Sequence, residues 1–267
     1  MDLNKELEKL RKVRKEGANK VFTMYLNTDP SDPDQQGGEW KIHLKNGLKN
    51  FEQYMQEDGN KEELKNYQQV KQKVEKFVKG NEQNFKKGIV LFATADEEVW
   101  FADRVQMPLK TEFYWEQTPV LDQLSKLAEE YPKSGIILVQ QNEVKVIDAY
   151  LNEVEGTTTY ELDLNTEDWR EKLGPRNGLG TTGKGSTNLQ VDNFRARFEE
   201  NKHRWYKKIA PELDKRAKDN EWDKIYVVGE PDQAKELKDL LNKPVDELVQ
   251  KNMLDHEESK VMEEIFV

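Results

Sequence analysis

A glycine-rich stretch followed by a long amphipathic helix constrains this chain more than any other part of its sequence. Within residues 174–190 lie five of the fifteen glycines of the chain, namely Gly174, Gly178, Gly180, Gly183 and Gly185. Glycine has no Cβ and adopts backbone conformations that other residues avoid, so this composition predicts an irregular loop. The loop runs directly into residues 191–218, whose residue pattern predicts a helix.

One side of the predicted helix is apolar and the other is basic. Apolar residues recur at steps of four, seven, four and four, at Phe194, Phe198, Trp205, Ile209 and Leu213. These steps keep the residues on one side of a helix with 3.6 residues per turn, and we expect that side to be buried. The cations that fall between them are Arg195, Arg197, Lys202, Arg204, Lys207 and Lys208.

The helix lies in a basic region of an acidic protein. Between residues 170 and 218 there are thirteen Lys or Arg and six Asp or Glu, whereas the whole chain has a formal net charge of −10. A solvated helix usually mixes charges of both signs, but only Glu199 and Glu200 fall between residues 193 and 210. This local excess predicts phosphate contacts on one face of a protein that does not attract polyanions as a whole.

The same residues resemble the central, catalytic domain of the archaeal and eukaryotic class-1 peptide-chain release factors. In that family a Gly-Gly-Gln loop precedes a long basic helix, and a histidine follows the glutamine within a basic and aromatic cluster. Here His203 follows Gln190 by thirteen residues, inside the run Lys-His-Arg-Trp-Tyr. Asn188 and Leu189 stand where the family has two glycines. That departure is typical of divergent bacterial relatives, including those similar to the Vms-type release factor of ribosome quality control.

The resemblance implies that Gln190 is catalytic and that Gly183, Lys184, Gly185 and Asn188 belong to its loop. A glutamine amide neither ionises nor attacks, but it can position a water near an ester and stabilise developing charge. The implied activity is hydrolysis of peptidyl-tRNA in the peptidyl-transferase centre, in ribosome rescue or quality control. The implied RNA-binding residues are Arg195, Arg197, Lys202, His203, Arg204, Lys207 and Lys208.

Two other functions stay open because Gly-Gly is missing before Gln190. One is a catalytically silent ribosome-binding factor that occupies the tRNA site in hibernation or rescue. The other is a nuclease that cleaves the 3′ end of the tRNA. The release-factor family uses an Asn-Ile-Lys-Ser run near the stop codon, and the N-terminal half of this chain contains no such run. Stop-codon reading is therefore not expected. The expected partners are large-subunit rRNA and peptidyl-tRNA. No GTPase partner is expected, because little chain follows Lys218 for the third family domain.

The glycine-rich stretch also approaches the phosphate-binding P-loop, G-x-x-x-x-G-K-[ST]. Residues 178–185 read GLGTTGKG, so Gly185 stands where a Ser or Thr would bind magnesium. A P-loop also follows a buried strand directly, whereas residues 168–173 are charged and amphipathic. We therefore do not expect nucleotide hydrolysis, and a flexible connector is the simpler alternative for the glycines.

Composition argues against several other classes of site. The chain has three histidines and no cysteine, which makes a metal site improbable, and no cofactor is expected. The acidic pairs Glu161/Asp163 and Asp29/Asp32 fit strand and turn positions, not a glycosidase or nuclease pair. No apolar run approaches the length of a membrane span, and no N-terminal apolar signal is present. A cytoplasmic protein without a membrane partner is therefore expected.

The remaining pattern predicts an α/β chain, of mixed α+β character, with two domains. Residues 1–112 form the first domain, which carries no chemical motif. Its predicted elements are a helix at 2–15, a strand at 21–26, helices beginning at Trp40 and after an Asn60/Glu63 capping box, and a hairpin at 88–94 and 99–105. Residues 107–117 are expected to cross between the domains.

Residues 113–267 form the second domain, which contains the glycine-rich Gln loop (174–190) and the basic helix. Its other predicted elements are a helix at 118–131, a hairpin at 135–140 and 144–151, a strand at 157–164, a short helix at 166–172, a strand at 224–228 and helices at 231–241 and 245–267. Together they predict a mixed sheet covered by helices, compatible with the ribonuclease-H-like sheet of the release-factor catalytic domain.

Overall fold

A computed structural model describes residues 3–35, 37–163, 166, 168–174 and 188–266, with the backbone alone described for residues 188–195. The chain divides into two compact units, Met1–Glu130 and Tyr131–Val267. No helix in these ranges is both long enough and apolar enough to cross a membrane.

The first unit contains an antiparallel four-stranded sheet and helices. Its strands, in the spatial order β3-β2-β1-β4, are β1 (Val21–Asn27), β2 (Gly88–Ala93), β3 (Trp100–Val105) and β4 (Glu112–Glu116). Its helices are α1 (Leu3–Leu10), α2 (Trp40–Asp58), α3 (Lys61–Asn81) and α4 (Asp122–Glu130), with two 3-10 turns at Pro33–Gln35 and Glu82–Asn84.

The central strand β1 is buried on both faces of this sheet. Phe22, Met24 and Leu26 belong to the core that α2 and α3 complete. On the opposite face the Tyr25 hydroxyl donates to the Val120 carbonyl at 2.8 Å. The predicted N-cap of α3 is confirmed, because Asn60 Oδ1 accepts from the Glu63 backbone N–H at 3.1 Å.

Three expectations for this unit differ from the structure. The unit ends at Glu130 rather than at residue 112, because β4 pairs with β1 and the segment 107–117 therefore contributes the strand Glu112–Glu116 to this sheet. The helix expected from residue 118 begins at Asp122, since Val120 N–H donates to Thr23 Oγ1 at 3.2 Å before the helix starts. The first helix ends at Leu10, and Lys15 N–H instead donates to the Gln117 carbonyl at 2.8 Å.

The second unit contains the predicted mixed sheet. Its strands, in the spatial order β10-β9-β5-β6-β7-β8, are β5 (Ser134–Val139), β6 (Glu143–Tyr150), β7 (Glu153–Asp163), β8 (Asp168–Leu173), β9 (Lys224–Gly229) and β10 (Glu247–Val249). Strands β5 to β8 are antiparallel neighbours, whereas β9 runs parallel to β5 and β10 parallel to β9. Its helices are α5 (Asn188–Asp219), α6 (Pro231–Leu240) and α7 (Glu258–Ile265).

Helices cover both faces of this sheet. On one face, α5 and α6 contribute Ile209, Leu213 and Leu237 to a core with Ile137 and Val227 of the strands. On the other face, the segment that contains α7 packs Leu254, Val261 and Met262 against Ile136 and Ile147. The strand pattern alternates accordingly, because neighbouring residues of a strand point to opposite faces.

Two segments of this unit have a different structure from the predicted one. The short helix expected at residues 166–172 is instead the edge strand β8, which pairs with β7 in the register Leu162↔Trp169 and is joined to it by an Arg170–Asp163 ion pair of 2.5 Å. The single helix expected at residues 245–267 is divided into β10 and α7, because β10 adds to the sheet and Asp246 Oδ2 accepts from the Ile225 N–H at 2.8 Å.

A buried polar network joins β6 to the end of α5. Asp148 is 6% exposed and accepts hydrogen bonds from Arg216, from Asn220 Nδ2 at 2.7 Å and from Trp222 Nε1 at 2.9 Å. Burial alone would lower the pKa of Arg216, but the hydrogen bond and charge of Asp148 outweigh it and raise that pKa. The network thus fixes the C-terminal end of α5 over the sheet.

Substitution Asp148→Ala should lower the free energy of unfolding by about 2 kcal/mol, because it leaves a partly buried guanidinium and two further donors without their carboxylate. Urea denaturation followed by far-UV circular dichroism measures this change. The exposed Asp223 supplies the control, and Asp223→Ala should stay within about 0.5 kcal/mol of the wild type. Equal effects of the two substitutions would contradict the structural role of Asp148.

Asp96 lies in the turn between β2 and β3 and has a depressed pKa. Burial alone would raise the pKa of Asp96, but hydrogen bonds from Lys15 and Thr94 lower it to about 2. A carboxyl whose folded pKa is depressed stabilises the fold above its unfolded pKa of about 3.9, and this contribution is lost as the pH falls towards 2. Asp96→Asn should therefore be less stable than the wild type at neutral pH, with a difference that shrinks as the pH falls below about 4 and disappears below about pH 2. A difference independent of pH would contradict this.

Candidate nucleic-acid interface

Helix α5 is the element that the sequence singled out, and it spans 32 residues. It begins at Asn188, before the expected start at residue 191, and ends at Asp219. Most of its residues favour helices, with Lys, Arg, Glu and Ala frequent. Pro211 lies inside the helix and cannot donate to the carbonyl of Lys207, yet the helix continues through it.

The predicted apolar side of α5 is buried, as expected. Phe198, Trp205, Ile209 and Leu213 are each at most 2% exposed. They belong to the core that covers the sheet, and the Phe198 and Trp205 ring centroids are 5.1 Å apart. The sequence interpretation missed three further buried residues of the helix, Tyr206, Ala210 and Ala217. The side chain of Phe194 lies outside the described residues.

Two hydrogen bonds to the sheet fix the rotation of α5 about its own axis. Trp169 of β8 donates from its indole nitrogen to the Trp205 carbonyl at 3.0 Å. Tyr206 donates from its hydroxyl to the Gln140 carbonyl at 3.1 Å. Burial raises the pKa of Tyr206, so the hydroxyl keeps its proton and stays a donor. The opposite side of the helix must therefore point away from the sheet.

Four of the predicted RNA-binding residues lie on this outward side. Arg197, Arg204, Lys207 and Lys208 are exposed. The Arg204 guanidinium lies 6.0 Å from the centroid of the Trp205 ring, and this contact limits its freedom. Lys208 Nζ is 3.8 Å from Asp168 Oδ1 of β8. The cations therefore form a surface that the fold holds outward.

The same surface continues further than the sequence interpretation assumed. Lys215 and Lys218 are exposed on α5 as well. Arg197, Arg204, Lys208 and Lys215 follow one another at steps of seven, four and seven residues, which keeps them on one side of the helix. At a rise of 1.5 Å per residue this stripe is about 27 Å long. Extending the heptad-like spacing beyond Lys208 would have revealed these two lysines in the sequence.

Lys202 and His203 also contact α6, and the His203 side chain is still 66% exposed. Lys202 Nζ lies 3.3 Å from Glu236 Oε2 of α6, and His203 Nδ1 lies 3.3 Å from Glu236 Oε1. Both side chains therefore contact α6. The sequence could not reveal this contact, because a strand separates the two helices along the chain.

The predicted catalytic end of the interface is described only in part. Gly183, Lys184 and Gly185 lie outside the described residues, as do the side chains of Asn188, Gln190 and Arg195. Since α5 begins at Asn188, the backbone of Asn188 and of Gln190 is helical, whereas the sequence interpretation placed both on the loop. The first backbone N–H groups of a helix have no partner within it, and the helix dipole favours negative charge there.

The described residues contain no group of three or more His, Cys, Asp or Glu side chains that could hold a metal ion. The described outer side of α5 presents cations, and the start of the helix presents backbone N–H groups. Cations on a rigid helix hold phosphates without distinguishing one base from another.

Comparison with known proteins relates the second unit to a family. A sequence model of bacterial archaeo-eukaryotic release factor family 5 matches residues 132–267. The uncharacterized protein YocB of Bacillus subtilis (strain 168) is 34% identical over 265 residues, covering 99% of this chain and 98% of that protein.

Two solved structures are also similar to this chain. One, described as an archaeal protein, is 15% identical and covers 99% of this chain and 70% of that one, with a TM-score of 0.33. The other, the crystal structure of the archaeal translation termination factor aRF1, is 14% identical and covers 98% and 71%, with a TM-score of 0.31. At these scores neither structure bears on the site.

Replacing Arg204, Lys207 and Lys208 by Gln should weaken binding to a hairpin RNA and reduce its dependence on salt. Removing one phosphate-binding cation makes the slope of log affinity against log salt less steep by about 0.7 to 0.9, so the triple variant should change it by about two to three. Fluorescence anisotropy across a salt series measures the slope. The control replaces three exposed lysines of the same unit that lie off α5, Lys235, Lys251 and Lys260. A control that lowers the slope equally would show that the position of the charges is irrelevant.

Proposed function

We propose, from the premise that this chain belongs to bacterial archaeo-eukaryotic release factor family 5, that it releases nascent peptides on the ribosome. The substrate is peptidyl-tRNA, the reaction is hydrolysis of its ester bond in the peptidyl-transferase centre, and the setting is ribosome rescue or quality control. The catalytic residue of the proposal is Gln190.

The observation that carries the proposal is the orientation of α5. The sheet buries one side of the helix, so Arg197, Arg204, Lys207 and Lys208 all face outward along a rigid rod. Phosphates of large-subunit rRNA or of the tRNA would bind this side and fix the direction of the helix. Arg197 follows Gln190 by seven residues, which is about 10 Å along the axis. Anchoring the cations would therefore aim the N-terminal end of α5, with Gln190, at a defined point.

The position of Gln190 in the first turn of α5 suits hydrolysis of an ester. An attacking water creates negative charge on the carbonyl oxygen, and backbone N–H groups at a helix start are well placed to stabilise such charge. The glutamine amide would accept a hydrogen bond from the attacking water and hold it near the ester. The tRNA and the ribosome supply the remaining groups, so the protein needs no ionisable catalytic residue of its own.

A second candidate function is a silent factor that occupies the tRNA site without hydrolysis. It is favoured by the helical backbone at Asn188 and Gln190, since the family's glutamine follows two glycines, which permit conformations that Asn and Leu rarely adopt. Both functions need the same outward cations, so binding to ribosomes cannot separate them. The two functions are distinguished by whether the bound peptidyl-tRNA is hydrolysed.

The test is incubation of the purified chain with stalled ribosomes and separated large subunits that carry labelled peptidyl-tRNA. We expect the wild type to release peptide and leave the tRNA intact. Gln190→Ala should slow release about a hundredfold or more while still binding, because the attacking water loses the group that positions it. The matched control is Gln250→Ala, at an exposed glutamine of the same unit, which should release at the wild-type rate.

Three results would contradict hydrolysis by Gln190. Binding of the wild type without any release would establish the silent factor. Release that survives in Gln190→Ala would place the catalytic group elsewhere. Shortened tRNA would show a nuclease.

A further inference from the structure

We propose that the edge of the second sheet beside β7 docks an extended peptide rich in lysine or arginine, supplied by a partner protein. The site consists of a segment of β7 whose outer side pairs with no described strand, together with two adjoining cavities that carry an excess of carboxylates. It adjoins the C-terminal end of the cationic stripe of α5, since Lys215 lines one of the cavities. The proposal does not depend on whether the chain hydrolyses peptidyl-tRNA.

The first observation is that β7 is longer than its outer partner. Strand β6 pairs with β7 along most of its length, from Glu153 to Glu161, whereas β8 pairs only with residues 158–163. The Gly174 N–H donates to the Thr157 carbonyl at 2.7 Å and extends the pairing by one bond. Beyond this hydrogen bond, no described strand pairs with the outer side of Val154, Glu155 and Gly156. Such a strand edge can accept an added strand through its backbone groups.

The second observation is a cavity of about 510 Å³ beside this edge. Its lining includes five carboxylates against two cations, Lys215 and Arg216. The carboxylates are those of Asp148, Glu155, Glu171, Glu212 and Asp219. Arg216 is already bound by Asp148, so the lining attracts further positive charge. The Tyr160 ring also lines the cavity and adds an aromatic surface that suits a guanidinium or ammonium group.

The third observation is an adjoining cavity of about 560 Å³, which shares Glu155 and Arg216 with the first. Two apolar residues that line it are exposed, Val154 at 41% and Leu173 at 80%. Thr158 also lines it, and the buried hydroxyl of Thr158 has no hydrogen-bond partner in the described part of the chain. Buried polar groups are nearly always satisfied, so this hydroxyl points to an occupant that carries a polar group.

These three observations together define the chemistry of the occupant. Side chains of an added strand alternate between opposite faces, so a basic side chain can enter the acidic cavity while its neighbour packs on Val154 or Leu173. The backbone of the same strand would bond to residues 154–156. A nucleic acid is disfavoured, because its phosphates would meet the carboxylates. A basic, extended protein segment fits all three.

Fluorescence anisotropy with the full chain tests the proposal, using a labelled peptide of alternating lysine and valine residues at near-physiological salt. We expect saturable binding by the wild type. The double variant Glu155→Lys/Glu171→Lys should bind about tenfold more weakly, since two attractive contacts become repulsive. The control, Glu247→Lys/Glu263→Lys, makes the same charge change at exposed glutamates of the same unit that line neither cavity, and it should stay within about twofold.

A second probe tests the strand edge separately from the charges. The same peptide with methyl groups on alternate backbone nitrogens keeps its charges but cannot donate along one edge, and it should bind about tenfold more weakly. The proposal is overturned if the wild type shows no saturable binding, if the control variant weakens binding equally, or if the methylated peptide binds as well as the parent. Abolished hairpin-RNA binding in the Glu155/Glu171 variant would overturn it too, by assigning this surface to nucleic acid.

Discussion

The second unit depends on the burial of one side of α5 against the six-stranded sheet. Phe198, Trp205 and Ile209 are almost completely enclosed, and each buried side chain of this size stabilises the fold by about 2 to 3 kcal/mol. Hydrogen bonds from Trp169 and Tyr206 then select one rotation of the helix. The outward direction of the cations is a consequence of this packing, because a helix that buries one side must present the other.

The unit separates its charges in space, which explains how a chain of net charge −10 can still present a basic surface. Exposed cations line the outer side of α5. Lys202 and His203 contact Glu236, and Arg216 pairs with Asp148. Carboxylates collect instead around the edge of β7. One unit thus offers two surfaces of opposite sign, one suited to phosphates and the other to basic peptides.

The sequence predicted what depends on local pattern and failed where distant residues decide. The apolar spacing of α5 and the Asn60 cap are local, and both are confirmed. The charged segment of β8 looks helical by itself, and only its register with β7 and the anchoring of Trp169 make it a strand. The contacts of Lys202 and His203 with Glu236 likewise form only because α6 packs beside α5. The helical backbone at Gln190 follows from a helix start at Asn188. The sequence interpretation missed this start, although Thr187-Asn188-Leu189-Gln190 fits the capping-box pattern S/T-x-x-E/Q.

The central claim is that the outer side of α5 contacts ribosomal RNA, and site-specific photo-crosslinking tests it most directly. A photoreactive side chain placed at Lys207, in the middle of the cationic stripe, should crosslink to large-subunit rRNA or to tRNA when the protein is bound to ribosomes. The same group at Lys235, an exposed position off α5, should give little RNA crosslinking. Crosslinks from Lys207 to ribosomal proteins alone, or equal RNA crosslinking from both positions, would contradict the claim.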